Sequence, residues 1–253
     1  MIALRCVLFA IAFYGWVLIV GTVYFPLLLL PRAICARLAH FWVRSSLWLV
    51  RVFIGIRCEV RGRENLPPEP FVIASKHQSA WDTLVYADLF YDSAYVLKKE
   101  LMLLPFFGWY LFRLQMIGID RSGGAKALSA LVRDVKDRLA NGRSIIIFPQ
   151  GTRTAPGVER KYLPGVSAIY RQADTAIVPV ALNSGMFWPR RRFIKFSGTI
   201  ILEFLPPIEP GLDRRSFERT LRERIEPATH RLEAEAAREL GIAEPSAQPI
   251  ESA

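Results

Sequence analysis

The chain has 253 residues, with 33 Lys and Arg against 23 Asp and Glu, a formal net charge of +10, and 52% hydrophobic residues. That length allows one domain of ordinary size plus a short appendage, and basic charge with an apolar composition points to a membrane-associated protein facing anionic surfaces or substrates. The aromatics cluster with aliphatics rather than along a basic stripe, so no nucleic-acid partner is expected, and Cys6, Cys35 and Cys58 are too far apart for a zinc site, redox pair or disulfide framework.

Residues 6–25 carry no charge. About 20 helical residues cover roughly 30 Å, the thickness of a hydrocarbon core. The stretch is too long for a signal-peptide core and lacks a small-x-small cleavage site. Pro26 and Pro31 then break the helix. A second apolar segment runs from about Ala33 to Ile56, with Arg37, Arg44 and Arg51 on one face at seven-residue spacing. It reads as a helix lying in the membrane interface. Seven arginines from Arg32 to Arg63, against one before them, predict by the positive-inside rule that the main domain faces the cytoplasm at the inner membrane. Whether the first segment spans the bilayer or forms half of a re-entrant hairpin is left open.

From Gly62 on, short apolar runs alternate with helical patterns. Phe71 to Ser75 predicts a buried strand, and Thr83 to Phe90 a helix. Strands are expected at 94–97, 115–119, 144–148, 175–182 and 198–204, and helices at 128–139 and 164–173. Pro105 to Phe112 reads as core in preference to an acyl-chain tunnel. Residues 213–240 form a charged amphipathic helix, broken or kinked at Pro227, and the tail after Gly241 is expected to be disordered. The alternation predicts an α/β fold: a mostly parallel sheet flanked by helices, with an N-terminal hydrophobic helical hairpin. The expected division is 1–58 membrane-associated, 59–240 main domain and 241–253 tail.

Polar clusters fall at three predicted strand ends: Lys76 to Asp82, Gly118 to Arg121, and Pro149 to Arg153. His77 and Asp82, five residues apart, would sit about 140° apart on one helix. If the helix begins near Ser79, a loop folds His77 back so that Asp82 accepts from one ring nitrogen and leaves the other free as a base. The competing reading is a capping box, Ser79-x-x-Asp82. Glycines beside Arg121 and Arg153 let backbone approach a phosphate that the arginines bind. Gly165-Val166-Ser167-Ala168-Ile169 fails as a nucleophile elbow at its last position. Only His40, His77 and His230 are present, and no metal is expected. Phe187 to Phe193, with three consecutive arginines, is either a headgroup-docking loop or a solvated basic loop.

His77-x4-Asp82, Gly118-Ile119-Asp120-Arg121, Phe148-Pro149-Gln150-Gly151-Thr152-Arg153 and Val178-Pro179-Val180 together resemble, in order, the four motif blocks of glycerolipid acyltransferases, most closely the bacterial 1-acylglycerol-3-phosphate group. The resemblance covers roughly residues 60–210. It implies His77 as general base and Asp82 as its orienting partner. Arg121, Gly151, Thr152 and Arg153 would engage the acceptor phosphate, with Gly118, Pro149 and Pro179 shaping the site. It further implies lysophosphatidic acid as acceptor and acyl-CoA or acyl carrier protein as donor, with no other cofactor and anionic bilayer lipids as surroundings. A lyso-aminolipid acceptor or a non-catalytic lipid-binding role are the alternatives. Two departures stand out: Gln150 where the family usually has Glu, and Lys76 where Asn is common.

Overall fold

The computed structural model describes residues 1–246 and the backbone of 248–251; Ala247, Ser252 and Ala253 of the expected tail lie outside the described residues. Helix α1 (Ile2–Tyr24) is followed by a 3-10 turn and α2 (Arg32–Leu49). A π-type turn (Val50–Ile54) and left-handed Gly55, φ 84°, then lead into strand β1 (Ile56–Arg61). The second apolar segment is therefore not one helix to Ile56. Its end is a strand, so the expected boundary at 58/59 cuts through β1 and places Cys58 in the main sheet. This strand lies at the sheet edge and is mostly exposed, so its charged alternation, Arg57-Cys58-Glu59, carries no buried-strand signal.

The chain continues through β2 (Val72–Ser75), α3 (Trp81–Leu89), β3 (Ala94–Lys98), α4 (Lys99–Met102), α5 (Phe107–Arg113), β4 (Ile117–Ile119), α6 (Gly124–Ala140) and β5 (Ile145–Ile147). It then forms β6 (Val158–Arg160), α7 (Pro164–Ala173), β7 (Ile177–Leu182), α8 (Ser184–Phe187), β8 (Gly198–Phe204), α9 (Arg214–Leu240) and β9 (Gln248–Glu251). Seven strands make one sheet in the order β1-β8-β7-β2-β5-β3-β4, parallel throughout except between β7 and β8. Strand β9 pairs with β6 in a separate two-stranded ribbon, within the stretch expected to be disordered.

Both sheet faces are covered, and the period-two geometry of the strands divides their side chains between two cores. Ile73, Ile146, Val178, Val180, Ile200 and Leu202 enter the core shared with α1, the π-turn and α3. Their neighbours Val72, Ala74, Ile145, Ile147, Ile177 and Ile201 enter the core beneath α6, α7 and α9. Helix α9 runs unbroken through Pro227, and it is packed on the sheet through Phe217, Leu221, Ile225 and Leu232. Asp213 caps it, accepting from Arg215 N and Ser216 N.

Helix α1, at 23 residues, is long and apolar enough to cross a membrane. Its first turns also dock on the sheet domain: Cys6 and Phe9 are buried, and Phe9 meets Trp188 edge-on at 5.5 Å between centroids. Helix α5 is not core. Phe107, Trp109 and Phe112 are exposed, Phe106 beside them is too, and Tyr110 OH donates to Gly21 O of α1 at 2.6 Å.

Candidate active site

The parallel strands β2, β4 and β5 end at one edge of the sheet, and the three polar clusters lie there. Loop 76–80 leaves β2, with Lys76 N bonded to Val180 O of β7 at 2.9 Å. Helix α3 begins at Trp81, so Asp82 stands in its first turn. His77 Nδ1 lies 2.8 Å from Asp82 Oδ2, and the same oxygen accepts from Gln78 N at 2.7 Å and Ser79 N at 2.9 Å. The carboxylate therefore ties back the loop ahead of the helix, through the Ser79 amide that a capping box would use, and faces the imidazole at once; α3 itself, with Ala80 at its N-cap, has no side-chain cap. Because a carboxylate only accepts, Nδ1 carries the proton and Nε2 is the basic nitrogen.

Asp82 is fully buried, while His77 keeps 12% of its side-chain surface exposed. Phe148, the last residue before the third cluster, stacks on the imidazole with centroids 3.9 Å apart and planes at 18°. His77 O accepts from Thr154 N at 2.8 Å and Thr154 Oγ1 at 3.1 Å. In the sequence Phe148 stands only as the first residue of the third motif block, with no role, and Thr154 not at all, because nothing there marks a ring stack or a loop-to-loop carbonyl bond.

The loop after β5 turns tightly, with Gly151 N bonded to Phe148 O at 2.8 Å and Gly151 at φ 65°, a left-handed backbone that favours glycine. A Cβ there would lie 2.4 Å from Leu163 Cδ1 and 2.8 Å from an Arg121 guanidinium nitrogen. Arg121 crosses from β4 to donate to Gly151 O. Partial burial lowers its pKa from the usual arginine value, with Glu100 opposing. Arg153 O accepts from Arg190 at 2.7 Å, which ties the basic loop 190–192 to this cluster; Arg191, Arg192 and Phe193 stay exposed.

These groups open on one cavity of about 1200 Å³. Its polar end carries His77, Arg121, Gly151, Thr152 and Arg153, with Pro149 beside them. Its apolar length runs between α1, α2 and α5, past Phe13, Val17, Leu38, Trp42, Phe107 and Leu111. Gly118 and Pro179 do not line it. A Cβ on Gly118 would come within 2.5 Å of Met102 Sδ, so the glycine makes room for α4. Pro179 is buried within β7, in register with Ala74 and bonded through its carbonyl to Leu205 N at 3.0 Å. Gln150 is buried behind the loop, and neither amide atom has a hydrogen-bond partner among the described residues. His40 sits apart, its Nδ1 3.1 Å from Ala87 O.

Glu159, Glu226 and His230 bring one potential ligand atom each within 4.8 Å of one another. Glu226 already accepts from Lys76 Nζ at 2.6 Å and Tyr162 OH at 2.7 Å, and Glu159 pairs with Arg222 at 3.3 Å. With those cations in place the cluster is compensated, and the buried ammonium opposes a metal ion.

The family model described as Acyltransferase matches residues 57–183, from the first strand of the sheet past its strand-end loops. The 1-acyl-sn-glycerol-3-phosphate acyltransferase of Pseudomonas aeruginosa PAO1 is 41% identical over 200 residues, which is 78% of this chain and 78% of that protein. The chain belongs to the acyltransferase family. It is an enzyme of that family, with the expected α/β fold. The human 1-acyl-sn-glycerol-3-phosphate acyltransferase alpha is 28% identical over 204 residues, 79% of this chain and 71% of its own length. The crystal structure of the 1-acyl-sn-glycerophosphate (LPA) acyltransferase PlsC from Thermotoga maritima superposes with a TM-score of 0.73, covering 92% of this chain and 98% of that one at 20% identity, and shows the same fold.

Proposed function

We propose that the enzyme transfers a fatty acyl group from acyl-CoA or acyl carrier protein to the free hydroxyl of lysophosphatidic acid, making phosphatidic acid for phospholipid synthesis. The observation that carries this reading is the convergence of an oriented His77–Asp82 pair and two arginines at the polar end of a long apolar cavity. The relatives' names, 1-acyl-sn-glycerol-3-phosphate acyltransferase, supply the acceptor class.

In this mechanism Arg121 and Arg153 hold the acceptor phosphate, with Gly151 and Thr152 offering close backbone approach. Holding the hydroxyl against the thioester accounts for several kcal/mol of the barrier. His77 Nε2 takes the hydroxyl proton as the oxygen attacks the thioester carbonyl. The tetrahedral intermediate collapses, the C–S bond breaks, and the imidazolium returns the proton to the departing thiolate. Asp82 stabilises the imidazolium between these steps. Apolar walls from α1, α2 and α5 receive acyl chain, with α1 at the bilayer and the arginine-rich face toward anionic lipid on the cytoplasmic side.

The test offers the purified, detergent-solubilised enzyme labelled acyl-CoA and acyl carrier protein with lysophosphatidic acid, glycerol 3-phosphate and a lyso-aminolipid. Product from lysophosphatidic acid, lost in Arg121→Ala and Arg153→Ala through a raised KM, supports the assignment. Product only from the phosphate-free acceptor overturns the roles of both arginines.

A further inference from the structure

Lys76 and Gln78 flank His77, and neither lines the cavity. Alternate residues of an extended chain point to opposite sides, so the flanking pair faces away from the site when His77 faces into it. Both are buried against α9. Lys76 Nζ donates to Glu226 Oε2 at 2.6 Å and to Val158 O at 3.0 Å. Gln78 Nε2 donates to Glu233 Oε1, while Gln78 Oε1 accepts from Gly185 N at 3.1 Å. Glu233 Oε2 accepts in turn from Gly157 N at 3.0 Å. Glu226 and Glu233 are seven residues apart, within about 20° of the same helix face and roughly two turns apart along the axis. Both lie beyond the segment that the family model matches, residues 57–183.

Two buried carboxylates on one stripe of a helix thus grip the residues on either side of the imidazole. Each is matched to a donor, because an unmatched buried carboxylate is costly. On the reading that His77 is the general base, we propose that Glu226 and Glu233 of α9 are positioning residues. They clamp loop 76–78 from behind and so fix where His77 stands relative to Asp82 and the cavity.

The Gln78–Glu233 half of the clamp has a donor–acceptor parity that can be inverted. Three contacts link Gly185 N–H, the Gln78 amide, the Glu233 carboxylate and Gly157 N–H in a row. The outer two groups only donate, so with the carboxyl groups ionised the inner pair holds one amide and one carboxylate. Gln78→Glu alone sets two carboxylates face to face. Glu233→Gln alone leaves one donor against another whichever way the amides turn. The exchange Gln78→Glu with Glu233→Gln restores all three bonds.

Steady-state kinetics on the full chain in detergent, well below each variant's melting temperature, is the test. Displacing a catalytic group by about 1 Å costs about 10²-fold. Each single variant is therefore expected to lose about 10- to 100-fold in kcat with the acceptor KM little changed, and the exchange variant to recover to within a few-fold of wild type. Single variants that keep wild-type kcat would overturn the proposal. So would an exchange variant that folds like wild type yet stays as slow as the single variants. If the single variants fail to fold, the exchange variant alone decides on the same criterion.

A second readout does not need turnover. The chain has 3 histidines, so ¹⁵N spectra of the imidazoles, assigned with His77→Ala, report His77 directly. Its Nδ1 resonance is expected to move in the single variants and return in the exchange variant. A resonance unmoved in the single variants refutes the clamp. If wild type transfers nothing to lysophosphatidic acid, the acceptor assignment fails, and this spectrum still decides the clamp.

Discussion

Replacing Asp82 by Asn isolates the charge from the shape of the proposed catalytic pair. The amide oxygen can still accept from Gln78 N and Ser79 N, so the loop ahead of α3 keeps its backbone bonds. Asp82 Oδ1 has no hydrogen-bond partner among the described residues, and the new amide nitrogen replaces one unpaired atom by another. What is lost is the negative charge 2.8 Å from His77 Nδ1. For charge centres about 4 Å apart in an effective dielectric of about 20, that charge stabilises the imidazolium by about 4 kcal/mol. At about 1.4 kcal/mol per factor of ten, kcat should fall by about 10³-fold. Hydrogen bonds to a charged acceptor exceed neutral ones by about 1 kcal/mol each, so for the three that reach Asp82 the melting temperature should drop by roughly 4–12 °C. Initial rates of acyl transfer at saturating substrates, paired with thermal unfolding, give both numbers. A folded variant within tenfold of wild-type kcat would refute the role given to Asp82.

Gly151→Ala forces a β-carbon into a left-handed residue and against Leu163 and Arg121. We expect a backbone cost of about 1–3 kcal/mol in thermal unfolding and a raised KM for the acceptor, read from initial rates. Lys76→Met leaves Glu226 buried without its cation, at a cost of about 3–5 kcal/mol by chemical unfolding, whereas Lys76→Met with Glu226→Met should recover much of it. Burial raises the Glu233 pKa, against the opposing hydrogen bonds from Gln78 and Gly157. The folded state then holds that proton to higher pH than the unfolded chain, whose carboxyl titrates near about 4.3. The stabilisation is complete below that value and is lost as pH rises through the folded pKa. Melting temperature against pH should show this loss in wild type and lack it in Gln78→Met with Glu233→Met.

The sheet was readable in the sequence wherever a strand is buried on both faces. Phe71 to Ser75, Ser144 to Phe148 and Thr175 to Leu182 are continuous apolar runs, and such runs announce covered strands. Strands β1 and β6 escape this signal because both are charged and only partly buried, and β6 has only three residues, so no apolar run or alternation marks them. Spacing brought His77 toward Asp82 and the strand-end arginines toward the same edge, because loop chemistry at successive strand ends is local information. The contacts from α9 were not legible. Glu226 and Glu233 stand 150 and 155 residues from the side chains they hold, and a charged amphipathic helix reads the same whether its glutamates meet water or a buried lysine. Helix α5 was read as core because its aromatics have no polar partner in sequence; the structure gives them a cavity and an exposed face instead.

The central claim is that His77 removes the proton from the acceptor hydroxyl, and His77→Ala in the acyl-transfer assay tests it most directly. General-base catalysis contributes about 10²–10⁴-fold, so the variant should lose at least about 10²-fold in kcat while staying folded and keeping its acceptor KM. Near-wild-type turnover of lysophosphatidic acid by His77→Ala would contradict it.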